Sequence, residues 1–317
     1  MAHNIEVNIL AREIVRQHSH LALQADPLQR LPNNLSALPS VLTDPEAQAV
    51  YAACRALDFI DADAQCVASA WQRQSARSGQ FDTSAWPTQA QDFGRLNSTP
   101  HPFTDNRNSG GFAPCPQQLG LYAVLPDAAW VARMARAGVP TLQLRFKSDD
   151  PAVIQREVAA AVKAVQGTAA LLFINDHWQA AIDAGAYGVH LGQEDLEGLS
   201  GADLNAIRTA GLRLGLSSHG YAEMMRAAAV QPSYIAMGAV YATTLKRMAT
   251  PPQGPARLKM YAALLRDLPT VAIGGIDPAR LPEVLATGVG SVAVVRALVA
   301  ADQPEAQVLA LQAMFTS

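Results

Sequence analysis

Short apolar runs alternate with amphipathic runs along the chain from residue 119 onward. The short runs are rich in β-branched residues, as strands are, and the longer runs repeat apolar positions every three or four residues, as helices do. The eight strand-like runs are GLYAVLP, TLQLRF, ALLFIN, YGVHLG, LRLGLSS, SYIAMGAV, TVAIGG and SVAVV. Eight such units in about 200 residues predict a TIM (β/α)8 barrel. A doubly wound open sheet is disfavoured, because no GxGxxG turn follows the first strand.

The first 116 residues differ from the rest in their pattern of apolar and polar positions. Helical periodicity covers residues 12–23 and 45–76, and Asp44 followed by Pro45 is typical of a helix start. The α/β barrel is therefore predicted to follow a mostly helical N-terminal extension.

Residues 78–116 are rich in Gly, Ser, Asn, Pro and Gln, which is typical of a linker. We therefore divide the chain into residues 1–116, a helical extension and linker of unknown function, and residues 117–317, the barrel.

Composition narrows the class of protein. Apolar residues make up 50% of the chain, enough for a large core. The net charge of −3 does not indicate the basic surface that binds nucleic acid. No apolar run is long enough to cross a membrane, and charged residues interrupt the N-terminal apolar stretch, unlike a signal peptide. Three cysteines without a close pair favour a reduced, cytoplasmic setting. The pattern leaves open whether the chain forms a homo-oligomer.

Two cations and an amide stand at the end of the second strand. Alternation predicts that Gln143, Arg145 and Lys147 point the same way, which suits an anion at a barrel mouth. Only four of the 24 basic residues are Lys, so a lysine at position 147 is unusual for this sequence. A solvated strand end is the alternative interpretation.

Carboxylates end the next two strands. Asp176, which follows Asn175, and Asp195 are 19 residues apart, the length of one helix plus one strand. Both are therefore predicted at the same rim, and Mg²⁺ takes one or two carboxylates together with phosphate oxygens. Alternatively, Asp176 caps a helix and Asp195 belongs to a turn.

The remaining strand ends predict phosphate binding. Gly274-Gly275 and Val295-Arg296 follow strands seven and eight, where bare backbone N–H groups cradle phosphate in many such barrels. A long loop at residues 239–257 has the character of a lid and carries Thr243, Thr244 and Lys246. A cradle, a cationic patch and a metal site at one mouth indicate two phosphorylated substrates, one of them a diphosphate.

Six ordered phrases resemble the thiamine phosphate synthase (thiamine-phosphate pyrophosphorylase) family over about residues 120–301. They are LQLRFK, FINDHWQAAIDAGAYGVHLGQEDL, GLSSHG, YIAMGAVYATTLKRMATPPQG, VAIGGI and GVGSVAVVRAL. The resemblance implies a transferase of thiamine biosynthesis that joins hydroxymethylpyrimidine diphosphate to thiazole phosphate and releases pyrophosphate. It also implies Mg²⁺ as cofactor and these small molecules as partners, with neither nucleic acid nor membrane.

The resemblance assigns roles to residues by position. It implies metal ligation by Asp176 and Asp195, and a catalytic role for Lys147, Lys246 and Ser217. The implied substrate-binding residues are Gln143, Arg145, Lys147, Asn175, Ser217, Thr243, Thr244, Lys246, Gly274, Gly275, Val295 and Arg296.

Two departures from the family pattern concern phosphate binding. Leu245 stands where the family usually has Thr, unless Thr244 substitutes for that hydroxyl, and Arg296 stands where Ser is common. These departures leave a non-catalytic binder of thiamine precursors as one alternative function. A thiazole tautomerase is another, since it shares the barrel and a histidine near His219. The extension is either a remnant of a kinase domain or an unrelated helical segment.

Overall fold

The computed structural model describes residues 2–32, 39, 42–94, 111–244 and 250–315. The chain divides into two compact units. We call Met1–Ser98 with Gly220–Ala229 the N-terminal unit, and Thr99–His219 with Val230–Ser317 the barrel unit. None of the helices in the described residues is both long and apolar enough to span a membrane.

Eight parallel strands close into a barrel in chain order, and the last strand pairs with the first. They are β1 (Gly120–Leu125), β2 (Thr141–Leu144), β3 (Leu171–Asn175), β4 (Gly188–Leu191), β5 (Arg213–Ser218), β6 (Tyr234–Met237), β7 (Thr270–Ile273) and β8 (Ser291–Val294). The predicted TIM barrel is confirmed, because each of the eight apolar runs forms one strand.

Thirteen α-helices lie within the described residues. They are α1 (Ala2–Gln17), α2 (Pro45–Ala56), α3 (Asp61–Ser78), α4 (Ala128–Arg136), α5 (Pro151–Val165), α6 (Trp178–Ala184), α7 (Gln193–Gly198), α8 (Gly201–Thr209), α9 (Tyr221–Ala229), α10 (Gly254–Leu264), α11 (Leu281–Leu285), α12 (Arg296–Val299) and α13 (Pro304–Ala313).

Aromatic rings fill the barrel interior. Tyr122, Phe173 and Tyr234 are buried together, and each ring lies within about 6 Å of the other two. Glycines on neighbouring strands make the room: a Cβ on Gly188 would lie 2.5 Å from a ring carbon of Phe173, and one on Gly215 would lie 2.1 Å from Cζ of Tyr234. Small residues therefore alternate with large ones to fill the taper of the barrel.

The N-terminal unit begins its second helix where the sequence predicts. The Asp44 side chain accepts a hydrogen bond from the backbone N–H of Ala47 at 3.0 Å, with Pro45 in the first turn. The predicted helix at residues 45–76 is in fact two helices, since a turn with Asp58 in the left-handed region (φ +69°) separates α2 from α3.

The linker prediction is wrong for residues 79–94. Trp86 is buried there and packs its ring against the rings of His18, Phe59 and Trp71 at centroid distances of 5.0–5.6 Å. Burial of a large aromatic surface outweighs the turn-forming composition of this segment. Residues 95–110 lie outside the described part of the chain.

Helix α9 follows β5 in the alternation but groups with the N-terminal unit. Within that unit, Tyr221 stacks on Phe93 at 5.3 Å and accepts a hydrogen bond from Trp86 Nε1 at 2.9 Å. The buried carboxylate of Asp63 accepts the N–H of Ala222 in the first turn at 2.8 Å. The unit boundary thus differs from the predicted cut at residue 116, and the division into independent domains stays a prediction.

We expect deletion of residues 1–98 to destabilise the remaining chain. The deletion removes Trp86, Phe93 and Asp63 from α9 and exposes the wholly buried ring of Tyr221. Removing one buried aromatic side chain, as the deletion does with Trp86 and Phe93, costs about 3–5 kcal/mol. Thermal unfolding and sedimentation of the shortened chain measure the effect. Trp86→Phe in the full chain is the milder comparison, since it removes the hydrogen bond and keeps an aromatic ring. A monomeric deletion protein with an unchanged Tm would contradict this expectation.

Candidate active site

The predicted anion-binding end of β2 meets the end of β3. Strand β2 stops at Leu144, two residues earlier than predicted, although the N–H of Arg145 still donates to Leu125 O at 2.8 Å. Gln143 is buried and its Nε2 donates to Asn175 Oδ1 at 2.7 Å. The opposite atoms of this pair, Gln143 Oε1 and Asn175 Nδ2, have no hydrogen-bond partner among the described residues.

Lys147 and Asp176 form an ion pair at the same rim, with 2.7 Å between Nζ and Oδ2. Asp176 is in the left-handed region (φ +64°), and its N–H donates to His190 O at 3.0 Å, which holds it beside β4. The Lys147 side chain is 60% exposed, and a pair so open to solvent contributes about 0.2–1 kcal/mol. An incoming anion can therefore exchange with the carboxylate as partner of Lys147 at small cost.

Asp195 is exposed on the first turn of α7, where its Oδ2 accepts the N–H of Gly192 at 2.9 Å. This contact agrees with the alternative interpretation, in which Asp195 belongs to a turn, but it uses only one of the two carboxylate oxygens. No described residue hydrogen-bonds Oδ1 of Asp195 or of Asp176, so both oxygens are available to a cation.

The donor chemistry of this pair fits Mg²⁺. Two carboxylates that follow adjacent strands would supply hard oxygen ligands, and Mg²⁺ characteristically completes its octahedron with water and substrate phosphate. The described residues contain no group of three His, Cys, Asp or Glu side chains gathered around one point. The arrangement suits an ion that takes ligands from a diphosphate rather than an ion enclosed by protein.

Two residues that the sequence pattern did not assign to the site hold Ser217: His190 on β4 and Gln193 at the start of α7. His190 Nε2 lies 2.9 Å from Ser217 Oγ, and Gln193 Nε2 donates to Ser217 O at 2.6 Å. The sequence spacing of His190 matches neither a metal pair nor a triad, so the motif pattern gives it no role. Strand alternation was the missed signal, since it places His190 on the same face of β4 as Gly188, inside the barrel.

The turn after β7 forms a close-packed cradle. Gly274 and Gly275 have φ values of +105° and +65°, which side chains rarely adopt. A Cβ on Gly275 would lie 2.5 Å from Ala242 O, and the N–H of Tyr241 donates to Gly274 O at 2.9 Å. The two glycines therefore fasten this turn to the start of the loop after β6.

That loop carries Thr243, which is partly buried, and Thr244, which is exposed. Lys246, like Leu245, lies outside the described residues. Helix α10 begins at Gly254, earlier than predicted, because the N–H of Gly254 bonds to Val240 O at 2.9 Å and closes the base of the loop.

The last strand contributes Val295, which is partly buried, and Arg296, which is exposed. Helix α12 begins at Arg296 and has only four residues, so its macrodipole is small. Any phosphate held here depends mainly on individual N–H groups and on the guanidinium.

The structure thus joins the predicted residues in two groups. Contacts link Gln143 with Asn175 and Lys147 with Asp176 at β2 and β3, and the Gly275 turn packs on the loop that carries Thr243. No hydrogen bond among the described residues joins Asp195 to another predicted site residue. The roles of all these residues remain predictions.

Known proteins resemble the barrel. A family model described as thiamine monophosphate synthase matches residues 121–298. The thiamine-phosphate synthase of Neisseria gonorrhoeae is 54% identical over 204 residues, 64% of this chain and 98% of the relative. That of Yersinia pestis is 52% identical over 192 residues, 61% of this chain and 88% of the relative.

A solved structure agrees in fold. Thiamine phosphate pyrophosphorylase from Pyrococcus furiosus superposes with a TM-score of 0.54 at 24% identity, over 62% of this chain and 96% of that chain. At this identity the likeness concerns the fold alone. Since the family model covers more than half of the chain and the relatives match at 52–54% identity along most of their length, this chain belongs to the thiamine monophosphate synthase family.

Proposed function

We infer that this chain is a thiamine phosphate synthase, a transferase that condenses hydroxymethylpyrimidine diphosphate with thiazole phosphate and releases pyrophosphate. The observation that carries this inference is the 54% identity to a thiamine-phosphate synthase over 98% of that protein's length. The polar groups at the strand ends support the same reaction.

The amide pair of Gln143 and Asn175 suits an aminopyrimidine. Gln143 Oε1 can accept from an amino group and Asn175 Nδ2 can donate to a ring nitrogen, because the mutual hydrogen bond of 2.7 Å uses only the other two amide atoms. Both side chains are buried, so an unmatched ligand would leave polar atoms without partners. The pair therefore orients the pyrimidine and discriminates against rings that lack this pattern.

We propose that Asp176 and Asp195 hold Mg²⁺ together with the diphosphate. The free Oδ1 atoms of both residues and the hard oxygen character of the site support this assignment. When bound, the ion neutralises charge on the diphosphate oxygens. Arg145 and Lys147 add two cations from the end of β2, and Ser217 adds a hydroxyl from β5.

The chemistry then needs positioning and charge more than a covalent nucleophile. The carbon–oxygen bond to the diphosphate breaks with both electrons leaving on pyrophosphate, and the aminopyrimidine spreads the positive charge left on the carbon. The thiazole nitrogen attacks that carbon with its lone pair. Lys147 and Ser217 stabilise the departing anion, as preorganised donors do for developing charge. Lys246 is proposed to act in the same way.

We propose that the second substrate places its phosphate in the cradle of Gly274, Gly275, Val295 and Arg296, beside Thr243 and Thr244. The glycine turn, whose positive φ values side chains rarely adopt, lets backbone N–H groups approach the phosphate closely. Arg296 offers a planar fork that suits phosphate and so compensates for the hydroxyl usual in the family.

An assay with both phosphorylated substrates and Mg²⁺ tests the proposed function. We expect thiamine phosphate and pyrophosphate to form in equal amounts, and we expect neither to form when one substrate is left out. Tight binding of both substrates without product would instead indicate a precursor-binding protein, and isomerisation of a thiazole alone would indicate a tautomerase.

A further inference from the structure

A continuous chain of hydrogen bonds crosses the barrel interior and ends at Ser217. Tyr122 OH lies 2.8 Å from Tyr234 OH, which lies 2.7 Å from His190 Nδ1. His190 Nε2 lies 2.9 Å from Ser217 Oγ. The four groups come from β1, β6, β4 and β5, so the closed barrel brings them together.

Both tyrosines retain their protons. Tyr122 is 1% exposed and Tyr234 is wholly buried. Burial is the main cause that raises the pKa of each phenol well above its ordinary value near 10. Each hydroxyl therefore has one hydrogen to donate, and each needs an acceptor within the barrel.

The number of available protons fixes which group donates and which accepts along this series of hydrogen bonds. Tyr234 is the only hydrogen-bond partner of Tyr122 OH among the described residues, so Tyr122 must donate to Tyr234 or bury an unpaired proton. A buried unpaired donor is disfavoured by roughly an order of magnitude or more in population. Once Tyr122 donates, the single proton of Tyr234 goes to His190 Nδ1.

The direction sets the tautomer of the imidazole. A neutral histidine that accepts at Nδ1 carries its proton on Nε2, and this proton points to Ser217 Oγ. The reverse direction, and the doubly protonated imidazolium, would each leave the proton of a buried tyrosine without an acceptor. The Nε2–H tautomer is thus the one that satisfies every donor.

We propose that Tyr122, Tyr234 and His190 are positioning residues that make the Ser217 hydroxyl a dedicated hydrogen-bond donor to the diphosphate. Since Ser217 Oγ accepts from His190, its own proton is left for an anion. Gln193 Nε2 fixes the backbone of Ser217 from the same side. The inference rests on the proposed function for the identity of the anion.

Gly215 leaves the space that this series of hydrogen bonds occupies. Gly215 pairs with Tyr234 in register across β5 and β6, and a Cβ there would overlap the Tyr234 ring, 2.1 Å from Cζ and 2.4 Å from the hydroxyl oxygen. A side chain at residue 215 would therefore displace the hydroxyl that bonds His190.

The tautomer is tested without substrate. Nitrogen-15 NMR of histidine-labelled protein at pH 8 distinguishes a protonated from an unprotonated ring nitrogen, and loss of the signals in His190→Gln identifies those of His190. We expect a single Nε2–H tautomer in the parent protein and a mixture in Tyr234→Phe. An Nδ1–H tautomer in the parent protein would overturn the proposal, whether or not the protein makes thiamine phosphate.

Binding and turnover test the consequence for Ser217. Tyr234→Phe should weaken Mg²⁺-pyrophosphate binding and lower kcat by about tenfold, with little change in KM for thiazole phosphate. Tyr51→Phe is the matched control, because it removes the hydroxyl of another mostly buried tyrosine, one that donates to Asp61 at 2.8 Å in the N-terminal unit. His190→Gln, which keeps a donor near the position of Nε2, should retain more activity than His190→Leu.

A double-mutant cycle separates positioning from general destabilisation. If Tyr234 acts through Ser217, adding Tyr234→Phe to Ser217→Ala should cause no further loss. Equal losses in both backgrounds would overturn the proposal and assign Tyr234 a packing role. Should the parent form no product at all, the proposed function fails, whereas the tautomer and pyrophosphate measurements still decide the positioning role.

Discussion

Asp176→Asn is expected to lower turnover roughly a hundredfold or more, the size of losing one electrostatic contact to developing charge. The substitution keeps the shape of the side chain and removes the charge that we propose for Mg²⁺ and that pairs with Lys147 at 2.7 Å. Asn is preferable to Ala because Asp176 lies in the left-handed region (φ +64°), which Asn tolerates and Ala does not. The measurement is kcat as a function of Mg²⁺ concentration, and the titration midpoint should move to higher concentration.

Asp26→Asn is the matched control for this prediction. Asp26 also has a positive φ, +54°, is exposed and lies in the N-terminal unit. It should leave the Mg²⁺ titration unchanged. Full activity of the parent protein in excess chelator, or an unchanged titration in the variant with both Asp176→Asn and Asp195→Asn, would contradict the metal assignment.

Gly274→Ala is expected to damage both stability and the thiazole phosphate site. A side chain at φ +105° is strained by about 1–3 kcal/mol. The new Cβ would also lie 2.5 Å from Ala239 Cβ and 2.6 Å from Ala239 Cα, and such overpacking costs about 1–3 kcal/mol more. Because backbone cannot yield as a flexible side chain does, the turn and the start of the loop after β6 must separate. We expect kcat/KM for thiazole phosphate to fall roughly a hundredfold, as for an ångström-scale misplacement.

Gly288→Ala is the control that introduces the backbone strain of Gly274→Ala without its close contacts. Gly288 has φ +89°, and a Cβ there would meet no atom within 4 Å. It should lower the Tm without changing KM for either substrate. In Gly274→Ala, KM for the pyrimidine diphosphate should change less than KM for thiazole phosphate, and equal changes in both would contradict the placement of the phosphate cradle.

Local pattern was sufficient for much of this molecule. Strands such as Leu171–Asn175 are short apolar runs bounded by polar residues, and their spacing by helices leaves few topologies other than a barrel. The rule that parallel strands present their carboxyl ends at one face then places Asp176 and Lys147 at the same rim. These inferences succeed because they depend on periodicity and chain connectivity, which are properties of neighbouring residues.

Local pattern failed where a long-range contact decides. The composition of residues 79–94 is that of a linker, yet Trp86 finds aromatic partners in α3 and in the segments before it, and their burial orders the segment. Helix α9 reads as an ordinary barrel helix, but Asp63 caps it from 159 residues away in the N-terminal unit. No local period encodes such a partner.

What the sequence by itself determined is the fold of the barrel, the family, and the set of polar residues at the strand ends. Only the tertiary structure decided that Lys147 pairs with Asp176, that Gln143 turns its amide to Asn175, and that His190 faces Tyr234 and Ser217. The physical reason is that strand alternation states on which side a residue lies, whereas hydrogen bonds depend on distances of a few tenths of an ångström between strands distant in the chain. Closure of the barrel sets those distances, and with them the direction of each proton.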